Sequence, residues 1–553
     1  MSGSINTDNN HFDLCVIGAG PAGIILVLEY SKQNPGKTVA LVEFGERNGK
    51  VENRLDDSVI VHNSINHHPP YECTNKGLGG TSMTWGGRCV MFDSVDFTER
   101  PVLNGACTWD THFLDELKQY TSRASDYFDC GTDVFNLNEI PEFADQRIAE
   151  NFKSGIVTDT VLERWSMPTR FGKRYLNELE SNPNIVILEG FEATTFQSEA
   201  DGCVQSVKLI STDGSNEKQI QASKFVISAG TQESTRLLLS NKSLFKALGA
   251  VPDALGRYYQ GHLSGKIASV KFYGDPKKTD FGFLRDKDGT YIRRRFQFDS
   301  EFLKTNNLLN SAFWLDNPLY HDPGHRSGAM SFMYLAMITP FLGKRLAPPA
   351  IQNAFTKGKV QGIGKHILNI IKDLPQSLSV PVKIFYKRYC LKRKLPGVFL
   401  YSPKNTYAIH FHSEQVPEHS NCMTLSENSR NLEIFYKLSD ADVDSVIRLH
   451  DELDRYLRTL NCGELLYWYP KAELAEVIRS ISRDGIHQSG TTRIAENAAS
   501  GVVDRNLKVF GTKNLFVCSS SVFPTSGQAN PTYFLGACSV RLAHYLSKDI
   551  GCE

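Results

Sequence analysis

Residues 12–23, FDLCVIGAGPAG, carry a short β-rich apolar segment straight into a glycine turn, and residues 24–30, IILVLEY, then read as helix. This is strand, glycine turn, helix. Gly18 permits the tight turn, Gly20 lets the backbone approach a pyrophosphate, and Gly23 lets the helix pack close to the strand, with phosphates at the helix N-terminus. A second strand over 38–42 ends at Glu43, 20 residues past Gly23, where a carboxylate can accept both hydroxyls of a ribose. The expected architecture is α/β, a Rossmann-like dinucleotide-binding domain. The motif alone does not separate FAD from NAD.

A chain of 553 residues is too long for one compact domain and suits two or three. Its 61 basic and 61 acidic residues cancel, so nothing global argues for nucleic acid. No apolar run approaches the roughly 20 residues of a membrane span. The first residues, MSGSINTDNNHFDL, show neither a secretory signal nor a twin-arginine pair, and a cytoplasmic protein is expected. Twelve cysteines include no CxxC, and Cys15 and Cys518 sit in apolar runs, which suits reduced thiols.

Further segments favour FAD. Residues 78–88, LGGTSMTWGGR, are too glycine-rich for a helix and suit a backbone passing close to a flat ligand. Residues 226–239, VISAGTQESTRLLL, read as a strand ending at Ala229 and Gly230 before a helix. Residues 184–188, NIVIL, read as a strand whose following residues could flank an adenine. In residues 529–546, ANPTYFLGACSVRLAHYL, Asn530 stands at an N-cap with Pro531 at the first helical position, and Phe534, Ala537, Val540 and Leu546 form a buried face.

As an ordered set these segments resemble the glucose-methanol-choline (GMC) oxidoreductases, FAD-dependent oxidases and dehydrogenases of alcohols and sugars. The resemblance runs almost end to end and also includes LGRYYQGH at 255–262, HQSGTTR at 487–493 and GVVDRNLKVFGTKNLFVCSSSVFPTSGQANPT at 501–532. The form SSSVFPTSGQANPT looks closest to the bacterial sugar-oxidising branch with pyranose-oxidase-like and glycoside-3-oxidase-like enzymes. The resemblance implies an FAD domain over 11–96, 171–261 and 479–553, and a discontinuous antiparallel-sheet substrate domain over 97–170 and 262–478, α+β overall. It implies cofactor contacts from Gly18, Gly20, Gly23, Glu43, Gly80, Thr81, Ser82, Trp85, Gly86, Gly87, Ala229, Ser519, Ser520, Asn530, Pro531 and Thr532.

Two departures stand out. Some relatives attach FAD covalently through a histidine where this chain has Thr84, so a dissociable flavin is expected. Many relatives carry aspartate where this chain has Ser519, which puts one polar cofactor contact in doubt.

The resemblance makes His487 the catalytic base and Asn530 the residue that positions the substrate hydroxyl. Histidine suits the task, because an unperturbed pKa near 6.5 lets it take and release a proton within a turnover. The expected reaction is oxidation of an alcohol, on a sugar, glycoside or polyol, to a carbonyl with hydride transfer to flavin N5. The acceptor, oxygen, quinone or protein, is open. The alternatives are a redox-silent lyase on the same scaffold and a membrane- or partner-docked flavoprotein acting on a non-sugar alcohol.

Residues 406–415, TYAIHFHSEQ, alternate so that His410, His412 and Glu414 share one strand face, read as solvated and not as a metal site. Glu414, His412 and Gln528 are the candidate substrate contacts; no metal is expected. Residues 442–460 read as an amphipathic helix with Val446, Leu449, Leu453, Leu457 and Leu460 on its core stripe. Residues 344–394 are dense in lysine and arginine against a single acid, Asp373, interleaved with apolar residues. That insertion suits a peripheral membrane surface or an acidic partner, or else a basic lid over the active site.

Overall fold

The computed structural model describes residues 11–46, 58–317, 319–339, 362–427 and 429–548. The apolar strand His11–Ile17 lies inside a seven-stranded sheet, paired in parallel with Val39–Glu43 on one side and Glu217–Ile227 on the other. Ile185–Glu189 adds in parallel beyond Val39–Glu43. The long strand Glu217–Ile227 serves two neighbours on its far side. Its first half pairs antiparallel with Val204–Ser211, and its last residues pair in parallel with Leu515–Val517. Strands buried on both faces carry continuous apolar runs instead of alternation, and Leu14 to Val16 and Val39 to Leu41 are fully buried.

Helix Pro21–Gln33 follows the glycine turn and packs beside helix Pro531–Leu546. The latter is buried well beyond the face that its sequence pattern marks, with Tyr533, Cys538 and Leu542 also inside. Cys15 and Cys518 are buried free thiols, as expected, whereas Cys203 is disulfide-bonded, so the expectation of reduced thiols does not hold for the whole chain.

A second, six-stranded sheet is antiparallel throughout, in the order Gly463–Tyr467, Leu263–Phe272, Thr406–Ser413, Ser311–Asp316, Phe296–Phe298, Val157–Thr158. Helix Asp440–Thr459 covers it, and Val446, Leu449, Leu453 and Leu457 join Ile267, Val270 and Ile409 in one core. The helix starts on a capping box: Ser439 Oγ accepts from Asp442 N at 3.1 Å, and Asp442 returns a carboxylate to Ser439 N at 2.7 Å.

The strand face at 410–414 is not solvated. His410 stacks on Trp314 with ring centroids 4.4 Å apart, and His412 and Glu414 are buried. The pleat does place these side chains together, but the face they share looks into the protein.

Several histidines are buried as neutral rings. His450 stands edge-on to Phe313 and Phe411 and donates from Nδ1 to Val446 O at 2.7 Å; burial pushes its pKa down to about 4. Burial does the same to His67, also down to about 4. An unfolded histidine titrates near 6.5. As pH falls from about 6.5 to about 4, the unfolded chain therefore takes up protons that the folded chain refuses. The stability contributed by each neutral ring is whole above pH 6.5 and is lost across that window, by roughly 3 kcal/mol per ring. Melting temperatures measured from pH 7.5 to 4.5 should fall steeply, and His450→Phe should flatten the slope. An unchanged slope would show that His450 is not buried neutral.

Candidate active site

The glycine turn meets the expected geometry. Gly18 adopts φ +105°, and a Cβ there would lie 2.5 Å from Ser228 O of the neighbouring strand end. A Cβ on Gly23 would lie 2.0 Å from Gly18 O, so helix and strand approach as closely as glycine allows. Gly20 differs: nothing lies within 4 Å of its Cβ position, because its backbone borders a cavity of about 520 Å³.

That cavity gathers the predicted cofactor residues from distant parts of the chain. Gly18, Gly20, Glu43, Gly80, Thr81, Ser82, Trp85, Gly86, Gly87, Ala229, Ser519, Ser520, Asn530, Pro531 and Thr532 all line it; Gly23 does not, since it packs behind the turn. Phe191, Glu192 and Ala193, which follow strand Ile185–Glu189, line it too. The Glu43 carboxylate accepts from Ala19 N at 2.9 Å, Gly77 N at 2.8 Å and Gly45 N at 3.0 Å, tying the turn to the loop beside it. Burial raises its pKa, and the three amides oppose that rise. The glycine-rich segment forms a short 3₁₀ turn, Gly80–Met83, fastened where Trp85 Nε1 donates to Thr169 O at 2.9 Å and Arg170 Nη1 donates to Ser82 O at 2.9 Å. The Thr84 hydroxyl, at the cavity wall, pairs with Asn75 Nδ2.

At the other side of the cavity Asn530 Nδ2 lies 2.6 Å from His487 Nε2. Asn530 holds the N-cap position of helix Pro531–Leu546, but its side chain makes no cap hydrogen bond. The capping reading is corrected to this extent: the amide turns away from the helix to the histidine, and the helix starts on Pro531, which has no N–H to satisfy.

Asp484, three residues before His487, was not singled out by sequence. Its Oδ1 accepts from the amides of Gly485 (2.6 Å), Ile486 (2.7 Å) and His487 (3.1 Å), an acid closing its own loop. Its Oδ2 accepts from His262 N at 2.7 Å and lies 3.4 Å from His262 Nδ1 and 3.6 Å from His487 Nδ1. Burial alone would raise the Asp484 pKa, but the His487 and His262 rings hold its carboxyl well below the usual range. An ionised carboxylate can only accept, so it favours a proton on His487 Nδ1 and leaves Nε2 as the acceptor for Asn530.

His262 and His412 complete a cluster of rings. Their centroids are 4.1 Å apart and lie 5.1 and 5.3 Å from His487, and one nitrogen of each of the three falls within 4.8 Å of the others. His412 Nδ1 donates to Gln528 O at 2.7 Å. Burial lowers the pKa of both His262 and His412. The sequence signal for His262 was its place at the end of LGRYYQGH; only the fold shows that it backs His487.

The three candidate substrate residues do not line the cavity. Glu414 is fully buried, with Arg100 Nη2 at 2.9 and 2.8 Å from its two oxygens and Asn310 N donating to Oε2 at 2.8 Å. That expectation is corrected: a carboxylate sealed into a buried ion pair is not offered to a ligand, and removing one partner of such a pair costs about 3–5 kcal/mol. Gln528 is likewise held, accepting from Arg295 Nη1 at 2.6 Å and donating to Asp93 Oδ2 at 2.8 Å. His412 stands behind His487, not beside it in the cavity wall.

The cavity suits a large polar-edged ligand. Ser228 Oγ and Asn530 Oδ1 are buried and make no hydrogen bond among the described residues. Such a polar atom left alone costs about 1–3 kcal/mol, which a bound group with donors and acceptors would relieve.

Residues 417–537, which carry His487 and Asn530, match the family model described as GMC oxidoreductase. This part of the chain is similar to the matching region of GMC oxidoreductases. Solved structures extend the likeness to the whole fold. An FAD-dependent oxidoreductase from Chaetomium thermophilum, in complex with a small-molecule fragment, superposes with a TM-score of 0.52 at 15% identity, covering 97% of this chain and 99% of that one. A fungal aryl-alcohol oxidase gives 0.51 at 12% identity over 98% and 99%. A variant of formate oxidase from Aspergillus oryzae RIB40 gives 0.50 at 16% identity over 98% of each chain. No curated protein matches in sequence. The α/β sheet with its antiparallel companion is thus the fold shared with these solved structures.

Proposed function

We propose that the protein is an FAD-dependent oxidoreductase that converts a CH–OH group to a carbonyl. The observation that carries this reading is the pairing of His487 Nε2 with Asn530 Nδ2 at 2.6 Å, in the wall of the cavity that the glycine turn opens. FAD, when bound, supplies the two-electron acceptor. Gly18, Gly20 and the N-terminus of helix Pro21–Gln33 would hold its pyrophosphate, Glu43 its ribose, and Phe191 to Ala193 its adenine. Gly80, Thr81, Trp85 to Gly87, Ser519 and Ser520 would border the ring system. With Thr84 where a histidyl link would need histidine, the flavin is held without a covalent bond and should leave with the supernatant when the protein is denatured.

The chain's own groups divide the proton work. His487 Nε2 takes the hydroxyl proton, and Asn530 Nδ2 turns its N–H from the ring to the alcohol oxygen. Asp484 keeps the His487 proton on Nδ1. Burial holds His262 and His412 neutral, so no fixed cation behind His487 opposes its charging.

The substrate class is a sugar, glycoside or polyol. The form SSSVFPTSGQANPT supports it, as do the polar side chains of Asn75, Arg88 and Gln488 that line the same cavity. Anaerobic mixing with a panel of sugars, glycosides, polyols and simple alcohols tests both levels, read as bleaching of the flavin absorbance. Bleaching by a sugar or polyol is expected. Bleaching by simple alcohols alone would remove the sugar class, and no bleaching by any alcohol would replace oxidation with redox-silent lyase chemistry.

A further inference from the structure

The basic insertion, 344–394, is described from residue 362 onward; its earlier part, 344–361, lies outside the described residues. Two consecutive helices, Ile363–Lys372 and Leu374–Phe385, run into a π turn, Tyr386–Cys390. One side is anchored. His366 is buried with Nδ1 3.0 Å from Ser331 Oγ, and Val380 and Ile384 pack with Met330 and Tyr334 of helix Gly328–Ile338.

The other side is apolar and faces water. Ile371 is 65% exposed, Leu378 56%, Val382 68% and Phe385 59%. The spacing is helical: 363, 367 and 371 on the first helix, then 374, 378 and 382 on the second, continued by 386 at the start of the π turn, so each helix presents one stripe. Apolar side chains gathered this densely at a surface mark a contact with something other than water.

The charges around the stripe identify the other side of that contact. Lys365, Lys372, Lys383, Lys387, Lys392 and Lys394 are all exposed, and Asp373 is the one acid between 363 and 394. Apolar residues with a lysine rim and aromatic Phe385, Tyr386 and Tyr389 at one end match the two layers of a bilayer surface, acyl chains beneath anionic headgroups. No helix among the described residues is long and apolar enough to cross a membrane.

We propose that residues 363–394 form a peripheral docking surface for a bilayer bearing anionic headgroups. The apolar stripe enters the headgroup boundary and the lysines pair with lipid phosphates. The surface is joined to the cavity wall by hydrogen bonds: Arg393 Nη1 donates to Trp165 O at 3.1 Å, Lys394 N donates to Met167 O at 3.2 Å, and Thr169 O, in the chain that follows, accepts from Trp85 Nε1 at 2.9 Å. Docking therefore sets the cavity one loop away from the membrane.

Flotation of the flavin-loaded protein tests this with phosphatidylcholine vesicles, with and without phosphatidylglycerol. Wild type should float with the anionic vesicles. The floating fraction should fall about tenfold or more on neutral vesicles, and equally for Leu378→Glu/Val382→Glu and for Lys383→Glu/Lys387→Glu/Lys392→Glu. Both variants should keep wild-type flavin absorbance and melting temperature, since the altered side chains face solvent. Wild type that stays at the bottom, or variants that float as well as wild type, would overturn the proposal. So would a wild-type dimer on gel filtration that the apolar variant dissociates without any flotation, because a second copy would then cover the stripe.

Discussion

His487→Ala should bind FAD normally and be reduced by substrate about 10²–10⁴-fold more slowly than wild type, the loss that follows removal of a positioned base. The binding half of this prediction rests on geometry: His487 touches the cavity at one edge, while the turn, Glu43 and the 3₁₀ segment that shape the rest do not depend on it. The rate half rests on the 2.6 Å contact with Asn530. Stopped-flow bleaching under anaerobic conditions separates the two, and a variant reduced at the wild-type rate would remove His487 from the chemistry. Asp484→Asn is the companion. It keeps the size of the side chain but loses the charge that selects the Nδ1 tautomer, so it should slow reduction without weakening FAD binding, and raising the pH should not restore the rate. A merely structural Asp484 would instead show as a lower melting temperature with an unchanged rate.

The second large effect belongs to Gly23. A valine there places Cβ 2.0 Å from Gly18 O, and neither the helix nor the strand behind it can retreat from a buried core without opening the nucleotide sheet. Gly23→Val should yield protein without flavin and with a stability loss of about 3 kcal/mol or more. Gly20→Ala is the control. Its backbone is extended, with φ −73°, and nothing lies within 4 Å of the new methyl. It should melt like wild type and lose FAD affinity about tenfold, a cost of roughly 1.4 kcal/mol for a methyl standing in the cofactor's place. If Gly20→Ala and Gly23→Val behaved alike in flavin content and melting, the two glycines would not hold the separate roles assigned to them.

The glycine turn was legible because its constraint is local: strand, turn, helix and acid are read at fixed offsets, and each role is stated in terms of a backbone with no Cβ. Asn530 was half legible. Its flanking Pro531 marked the helix start correctly, but an N-cap asparagine is expected to bond its own helix, and only the approach of the loop at 484–487 shows why it does not. Asp484 and His262 escaped notice because their meaning is tertiary. Asp484 carries a period signal, three residues from His487, yet acids three residues from histidines are common in loops. His262 sits 225 residues away from the ring it supports. Glu414 failed for the opposite reason. The period-2 pattern placed it beside His412 correctly, but alternation gives only the face, not whether that face meets solvent, a ligand or Arg100.

Strand Glu217–Ile227 holds one neighbour from the chain's beginning, His11–Ile17, and another from its end, Leu515–Val517. During synthesis the glycine turn thus emerges roughly 500 residues ahead of the strand and helix that close its cavity. For most of that interval the nascent chain exposes half a nucleotide site with an unfinished sheet edge, an opening for mispairing and for chaperones. Cofactor capture is then a late event, and flavin supply should govern the yield of soluble protein more than the rate at which its first domain collapses.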